Sequence, residues 1–131
     1  MTVIEKGGTS IKPLAEGKTK LIIPTRDPRL VKIVSKDGIT AGDGAKRDEI
    51  PGKAAFATRT TANVFKLLNA NSVATHFVDT VPEEPTAFIA KRAKMIPIEV
   101  VTRRKGTGSY LKRNPDFVEG TRFDEIPVEF Y

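Results

Sequence analysis

The sequence has no cysteine, no tryptophan and a single histidine. Without cysteine there is no disulfide framework, no thiolate nucleophile and no thiolate metal site. The aromatic stock is two tyrosines and seven phenylalanines, too little for a platform that stacks the bases of a nucleic-acid strand. No apolar run approaches the length of a membrane span. The opening Met1-Thr2-Val3-Ile4-Glu5-Lys6 lacks a hydrophobic signal region. These absences lead to the expectation of a cytoplasmic protein with no membrane partner. No repeat or low-complexity tract is visible.

What is present fits a globular protein. The chain has 131 residues, 39% of them hydrophobic and 29% charged, enough for a real core. Its net charge is +6, yet the basic residues never form a long run. Dispersed cations read as several local anion sites, so nucleic acid is not the expected partner.

Apolar patterning sets the expected elements. Strands are predicted over 18–25 and 29–35, joined by a turn at Arg26-Asp27-Pro28. Residues 36–53 hold four glycines, a proline and little periodicity, and are expected to be a long functional loop. Helical spacing of Ala54, Ala57, Thr61, Val64, Phe65 and Leu68 predicts a helix over 54–68, stopped by Asn69 and Asn71. Further strands are expected over 73–80, 86–92 and 96–104. A short helix is expected over Ser109–Arg113 with Ser109 as its N-cap, and 126–131 is strand-like. Hairpin, loop, helix and strands together predict an α+β fold: an antiparallel sheet with a packed helix. At fold level this is similar to the nucleotide-covering lobe of kinase-like and ATP-grasp enzymes.

Several residues carry candidate chemistry. Gly17-Lys18-Thr19-Lys20 is a glycine-lysine turn at the head of a strand, suited to phosphates though without Walker A spacing. Asp43, between Gly42 and Gly44, can hold a metal or a substrate hydroxyl, or cap its own turn. His76 sits in an apolar strand and reads as structural, since nothing near it has metal-ligand spacing. Glu16, Asp37 and Glu99 are carboxylates that the sequence alone does not pair. In 96–113 a β-branched run leads to Arg103, Arg104 and Lys105, turns through Gly106-Thr107-Gly108-Ser109, and leaves through Lys112 and Arg113. Glycines admit backbone N–H groups to a ligand, and guanidinium forks match phosphate or carboxylate.

Five stretches, in order, resemble one family: E-G-K-T-K (16–20), S-K-D-G-I-T-A-G-D-G-A-K (35–46), P-G-K-A (51–54), M-I-P-I-E-V-V (95–101) and R-R-K-G-T-G-S-Y-L-K-R (103–113). They are similar to SAICAR synthetase, the phosphoribosylaminoimidazole-succinocarboxamide synthase of purine biosynthesis, over 14–131. The resemblance implies an ATP-dependent ligase that joins L-aspartate to carboxyaminoimidazole ribonucleotide (CAIR). ADP and phosphate are released, Mg²⁺ is used, and an acyl phosphate is the implied intermediate. By position, Gly17, Lys18 and Lys20 would cover the ATP phosphates. The segment 91–95, from Lys91 to Met95, would read adenine through its backbone. Arg103, Gly108 and Ser109 would bind CAIR, with loop 40–46 and Asp43 over the substrates. No metal-binding residue is assigned in this chain, and the catalytic residues are left unknown.

The expected organisation is a flexible arm over 1–13, a nucleotide-covering lobe over 14–92 and the beginning of a substrate- and nucleotide-binding lobe over 93–131. The family's members continue past the point equivalent to Tyr131, so the chain is expected to be an N-terminal, truncated portion. Either a complementing chain or self-association through an apolar edge at 128–131 would then serve it. The alternatives are a pseudoenzyme that binds nucleotide or CAIR without turnover, or one half of a two-chain enzyme. In the family a hydrophobic residue and alanine usually follow the paired arginines, where this chain has Lys105 and Gly106.

Overall fold

The structure, a computed structural model, describes residues 3–4, 10–41 and 46–131. It falls into two compact units, Met1–Ala93 and Lys94–Tyr131.

The first unit opens with β1 (Val3–Ile4) paired antiparallel to β2 (Ser10–Ile11). There follow β3 (Ala15–Glu16), β4 (Lys20–Pro24), β5 (Leu30–Ser35), β6 (Gly38–Ala41), β7 (Lys46–Glu49), α1 (Lys53–Ala70), β8 (Phe77–Thr80) and β9 (Ala87–Lys91). The main sheet has the order β3-β4-β5-β9-β8, antiparallel throughout. The β4–β5 turn is held by Asp27, whose carboxylate accepts the Arg29 backbone N–H at 2.9 Å and its guanidinium at 2.8 and 3.1 Å. Those bonds keep the Asp27 carboxyl down at about 2.

Helix α1 covers one face of the sheet. Val31, Ile33, Phe77, Phe88 and Ala90 form the core with Ala62, and Ile22 and Phe65 pack against it. The Val31–Ala90 and Ile33–Phe88 pairs set this face, since directly opposed residues project to the same side. Phe88, 1% exposed, alone contributes about 1.5–3 kcal/mol of apolar burial. Helix and sheet are also joined by buried hydroxyls. Ser35 Oγ bonds Thr58 Oγ1 at 2.8 Å, and Thr58 donates to the Thr86 carbonyl at 3.0 Å. His76 meets Phe65 edge-on at 4.9 Å. Burial, then the charge of Lys20, holds its pKa below the ordinary value.

The second unit contains β10 (Val100–Thr102), α2 (Ser109–Arg113) and β11 (Val128–Phe130). β10 and β11 pair antiparallel with Val100 opposite Phe130 and Thr102 opposite Val128. One face of this ribbon therefore shows Val100, Val128 and Phe130, all more than half exposed. Tyr110, Phe117 and Phe123 pack as an aromatic trio with centroids 5.0–5.3 Å apart.

The fold is α+β, with an antiparallel sheet and a packed helix as expected. Several local expectations are corrected, among them the strand expected from 73, which begins only at Phe77. Residues 38–49 are not all loop, because β6 and β7 pair from Gly38–Glu49 to Ala41–Lys46. Helix α1 buries Ala54, Thr58 and Ala62 instead of Ala57 and Val64. Small side chains let the helix approach the sheet, while Phe56, Val64 and Leu67 face outward. The strand foreseen over 96–104 shrinks to three residues. Pro97 has no N–H for a ladder, and Ile98 bonds back to the Ile96 carbonyl. Finally, the N-cap of α2 is Gly108 and makes no side-chain cap bond.

Candidate functional site

In the first unit, a cavity of about 600 Å³ is lined by Gly17, Lys18, Lys36, Gly38, Ile39, Thr40, Arg47, Asp48 and Glu49. It lies between the glycine turn ahead of β4 and the β6–β7 hairpin. The lining carries three cations, Lys18, Lys36 and Arg47, and two carboxylates, Asp48 and Glu49.

Lys36 organises the turn. Its backbone N–H donates to the Thr19 carbonyl at 2.8 Å. Its ammonium donates to Glu16 Oε1 at 2.5 Å and to the Gly17 carbonyl at 3.1 Å. The bond from Lys36 holds the Glu16 carboxyl below its ordinary value. Gly17 closes the turn from inside, its N–H bonded to the Lys20 carbonyl at 2.9 Å. That N–H is thus engaged within the turn, and the charge offered to the cavity there is the Lys18 side chain. Lys20 stands opposite Ser35 at the start of β4 and is not part of the lining.

Asp37 fastens the hairpin to the helix. Its Oδ1 accepts the Ala54 N–H at 2.7 Å and its Oδ2 the Gly52 N–H at 3.3 Å. The helix has no acidic residue in its first turn and its N-cap is Gly52, so a carboxylate from the strand connection does the capping. Lys53 returns the tie, donating to the Gly38 carbonyl at 2.9 Å. Asp43 lies outside the described residues.

At the end of β9 the N–H groups of Lys91 and Arg92 are bonded to the His76 and Arg29 carbonyls, both at 2.7 Å. Those two donors are therefore engaged within the sheet. Met95, 83% exposed, belongs to the second unit.

In the second unit Arg103 and Ser109 are together: Arg103 Nη2 donates to Ser109 Oγ at 3.1 Å. The glycine between strand and helix makes this possible. Gly108 has φ of 57°, a left-handed conformation that side chains disfavour. Arg103 Nε also donates to Glu129 Oε2 at 2.6 Å. The other carboxylate oxygen accepts Arg113 Nη2 at 3.0 Å and the Tyr131 hydroxyl at 2.5 Å. Arg113 also donates to the Tyr131 hydroxyl and lies 4.6 Å over its ring. Hydrogen bonds from Tyr131, Arg103 and Arg113 pull the Glu129 carboxyl down to about 2.

Lys105 pairs through its backbone with Arg122 and its side chain is exposed. Gly106 is buried because Phe117 lies on it: a Cβ there would stand 2.4 Å from Phe117 Cε1. Glu99 uses its backbone, exchanging bonds with Tyr131 at 2.8 and 3.0 Å.

Sequence reasoning missed Lys36, Arg47 and Glu129 as site residues, and left Arg113 as a flanking cation. Lys36 and Arg47 were within reach, since both lie in or beside the 35–46 stretch. Glu129 stands 26 residues from Arg103 and carries no local signal. Among the described residues no three His, Asp or Glu side chains gather in a metal-binding group. No described helix is long and apolar enough to cross a membrane.

A five-stranded antiparallel sheet with a packed helix, and a cavity at its glycine turn that three cations help to line, define an α+β class of protein. The comparisons with known proteins narrow this. A model of the SAICAR synthetase family matches residues 13–131. A phosphoribosylaminoimidazole-succinocarboxamide synthase from Roseiflexus sp. (strain RS-1) is 59% identical over 120 residues, covering 90% of this chain and 47% of that protein. Among solved structures, the same synthase from Ehrlichia chaffeensis superposes with a TM-score of 0.82 at 32% identity, over 92% of this chain and 49% of that one. A SAICAR synthetase (type-2) in complex with ADP gives 0.80 at 34% identity, over 89% and 48%. The chain belongs to the SAICAR synthetase family. It spans about half the length of the curated relatives it matches.

Proposed function

We propose that the chain supplies the nucleotide-phosphate and CAIR-binding parts of an ATP-dependent ligase of de novo purine biosynthesis, which joins L-aspartate to CAIR. The observation that carries this is the cavity bounded by Gly17, Lys18, Lys36 and Arg47. Lys18 and Arg47 would face the ATP phosphates, with Lys36 holding the turn that presents Lys18. Lys20 would act from the strand below. Residues 91–95 would meet the adenine, through groups other than the engaged N–H groups of Lys91 and Arg92. In the second unit Arg103, Gly108 and Ser109 would receive an anionic group of CAIR, and Asp43 would act from its loop over the substrates. ATP, CAIR and aspartate are all anionic, so cations are needed to offset their mutual repulsion. Mg²⁺ is the metal expected with ATP, held mainly by phosphates and one or two carboxylates. The described residues offer no metal-binding cluster, and no step is assigned to the metal. By the same proposal 1–13 is an arm, 14–92 the nucleotide-covering lobe and 93–131 the beginning of the substrate lobe, in a cytoplasmic protein.

A second reading is a module that binds these ligands without turnover. Calorimetric titration with ADP and an ADP-release assay with CAIR and aspartate separate the two. The ligase reading expects ADP binding by this chain, weakened about tenfold in Lys18→Gln, and turnover once the C-terminal portion of a relative is added. Binding without turnover in that mixture selects the module. No affinity for ADP or CAIR refutes both.

A further inference from the structure

A second cavity of the first unit lies apart from the glycine turn and shares no lining residue with the first. It measures about 440 Å³ and opens between the start of α1 and the turn that joins β8 to β9. Ala55, Phe56, Thr58 and Arg59 form its helix wall, at spacings that share one helix face. Residues on the β8–β9 side, Pro82 and Pro85 among them, form the other wall. The strand register decides which charges reach it. Thr80 stands opposite the core residue Phe88 and projects to the helix side. Asp79 stands opposite Ile89, and Ile89 opposite Lys32, so these project to the other side. There Lys32 holds Glu84 at 2.9 Å. Both carboxylates are thus turned away from the cavity, and neither lines it. Thr58 and Ala87, both buried, make the floor. The Thr58 hydroxyl is taken up by Ser35 and the Thr86 carbonyl, so the floor presents apolar groups. Arg59 is the one ionisable residue of the lining. It is exposed and has no hydrogen-bond or ion-pair partner among the described residues. The walls stand without a ligand. Pro82 and Pro85 fix φ in the turn, and Glu84 and Ala87 donate N–H bonds to the Val81 and Glu84 carbonyls at 3.0 and 2.9 Å.

We infer that this cavity binds a small apolar carboxylate, with its ring or branched chain between Phe56 and the two prolines and its carboxylate on Arg59. The volume falls within the range of small-molecule sites, about 300–1,000 Å³, and an apolar lining with one convergent charge is their usual pattern. The guanidinium fork matches a carboxylate in geometry and sign. An apolar floor offers no donors to a polyphosphate, so the ligand differs in class from a nucleotide. The preformed walls spare the cost of ordering them on binding. The inference does not depend on the proposed ligase function.

The test uses the 131-residue chain with phenylacetate as probe. The controls are 2-phenylethanol, which keeps the ring without the charge, and acetate, which keeps the charge without the ring. The methyl resonances of Ala55, Thr58 and Ala87 and the Arg59 Nε–H resonance are the readout. Phenylacetate is expected to move all four, and acetate to leave the methyl signals in place. Phenylacetate should bind about fivefold tighter than 2-phenylethanol, a modest factor because the guanidinium stands in solvent. Arg59→Gln should erase that preference, so that both aromatic probes bind alike. Ala55→Leu fills the space beside the floor and should abolish the binding of both. Should Ala55→Leu fail to fold, Phe56→Ala replaces it at an exposed position: weaker binding of both aromatic probes supports the site, and unchanged binding overturns it. Methyl signals unmoved by phenylacetate overturn the inference. So does 2-phenylethanol bound as tightly as phenylacetate by wild type, or a preference that survives Arg59→Gln. Methyl shifts that grow with protein concentration alone, and that phenylacetate does not reverse, assign the face to a second copy of the chain and overturn it too.

Discussion

Replacing Asp37 by alanine tests whether one carboxylate joins the hairpin that borders the cavity to the helix that supports the sheet. Asp37 accepts N–H groups of Gly52 and Ala54 at the start of α1, where the helix supplies no cap of its own. Loss of such a cap costs about 1 kcal/mol, and loss of a negative charge at a helix N-terminus about 0.3–1 kcal/mol. The Ala54 bond is partly buried, so water replaces it incompletely and the sum comes to about 2 kcal/mol. For a unit of this size that lowers the melting midpoint by roughly 10 °C. Asp37→Asn keeps an acceptor and loses the charge, so about 1 kcal/mol is expected. Thermal unfolding followed by far-ultraviolet circular dichroism at low and at molar salt measures both, and salt should narrow the gap between wild type and the Asp37→Asn variant. If alanine leaves the midpoint within about 2 °C of wild type, or asparagine costs as much as alanine, the capping account is wrong.

Thr58→Val keeps shape but removes the hydroxyl shared by Ser35 and the Thr86 carbonyl; denaturant titration should show a loss of about 1–3 kcal/mol. Gly106→Ala drives a methyl into the Phe117 ring and should cost about 1–3 kcal/mol, with Phe117→Leu restoring part of it in a double-mutant cycle. Glu129, held near 2 against an ordinary 4.5, titrates lower in the folded chain than in the unfolded one. Its contribution is therefore complete above the unfolded value and is lost as pH falls from about 5 towards 2. Near-ultraviolet signals of Tyr131 should follow that loss, and Glu129→Gln should flatten the profile.

Strands β4, β5 and β9 were legible because they alternate or run apolar between turn residues, whereas the two-residue β3 was not foreseen. Nor was the β6–β7 hairpin. Its second strand, Lys46–Glu49, is charged at every position and exposed on both faces, so no period of two could show. Residues 73–76 read as strand from composition, but Thr75 is bonded through N–H and hydroxyl to Asn69 at the end of α1. That tie delays β8 to Phe77. The helix was legible in extent and largely in orientation: Ala54, Thr61, Phe65 and Leu68 lie on the side turned to the sheet, Ala57 and Val64 do not, and the buried Thr58 and Ala62 were overlooked. Arg103 and Ser109 were legible as a pair because a glycine turn lies between them. Glu129 was not, because its link to Arg103 exists only once β10 and β11 pair.

The contact of Phe117 with Gly106 bears on how this stretch can be exchanged between relatives. A side chain at 106 and the Phe117 ring as it lies here crowd one another, since a Cβ at 106 would stand 2.4 Å from Phe117 Cε1. A transplant of 103–113 alone would carry Gly106 without the ring that lies on it, whereas 103–123 carries the glycine, Phe117 and the stacked Phe123 together.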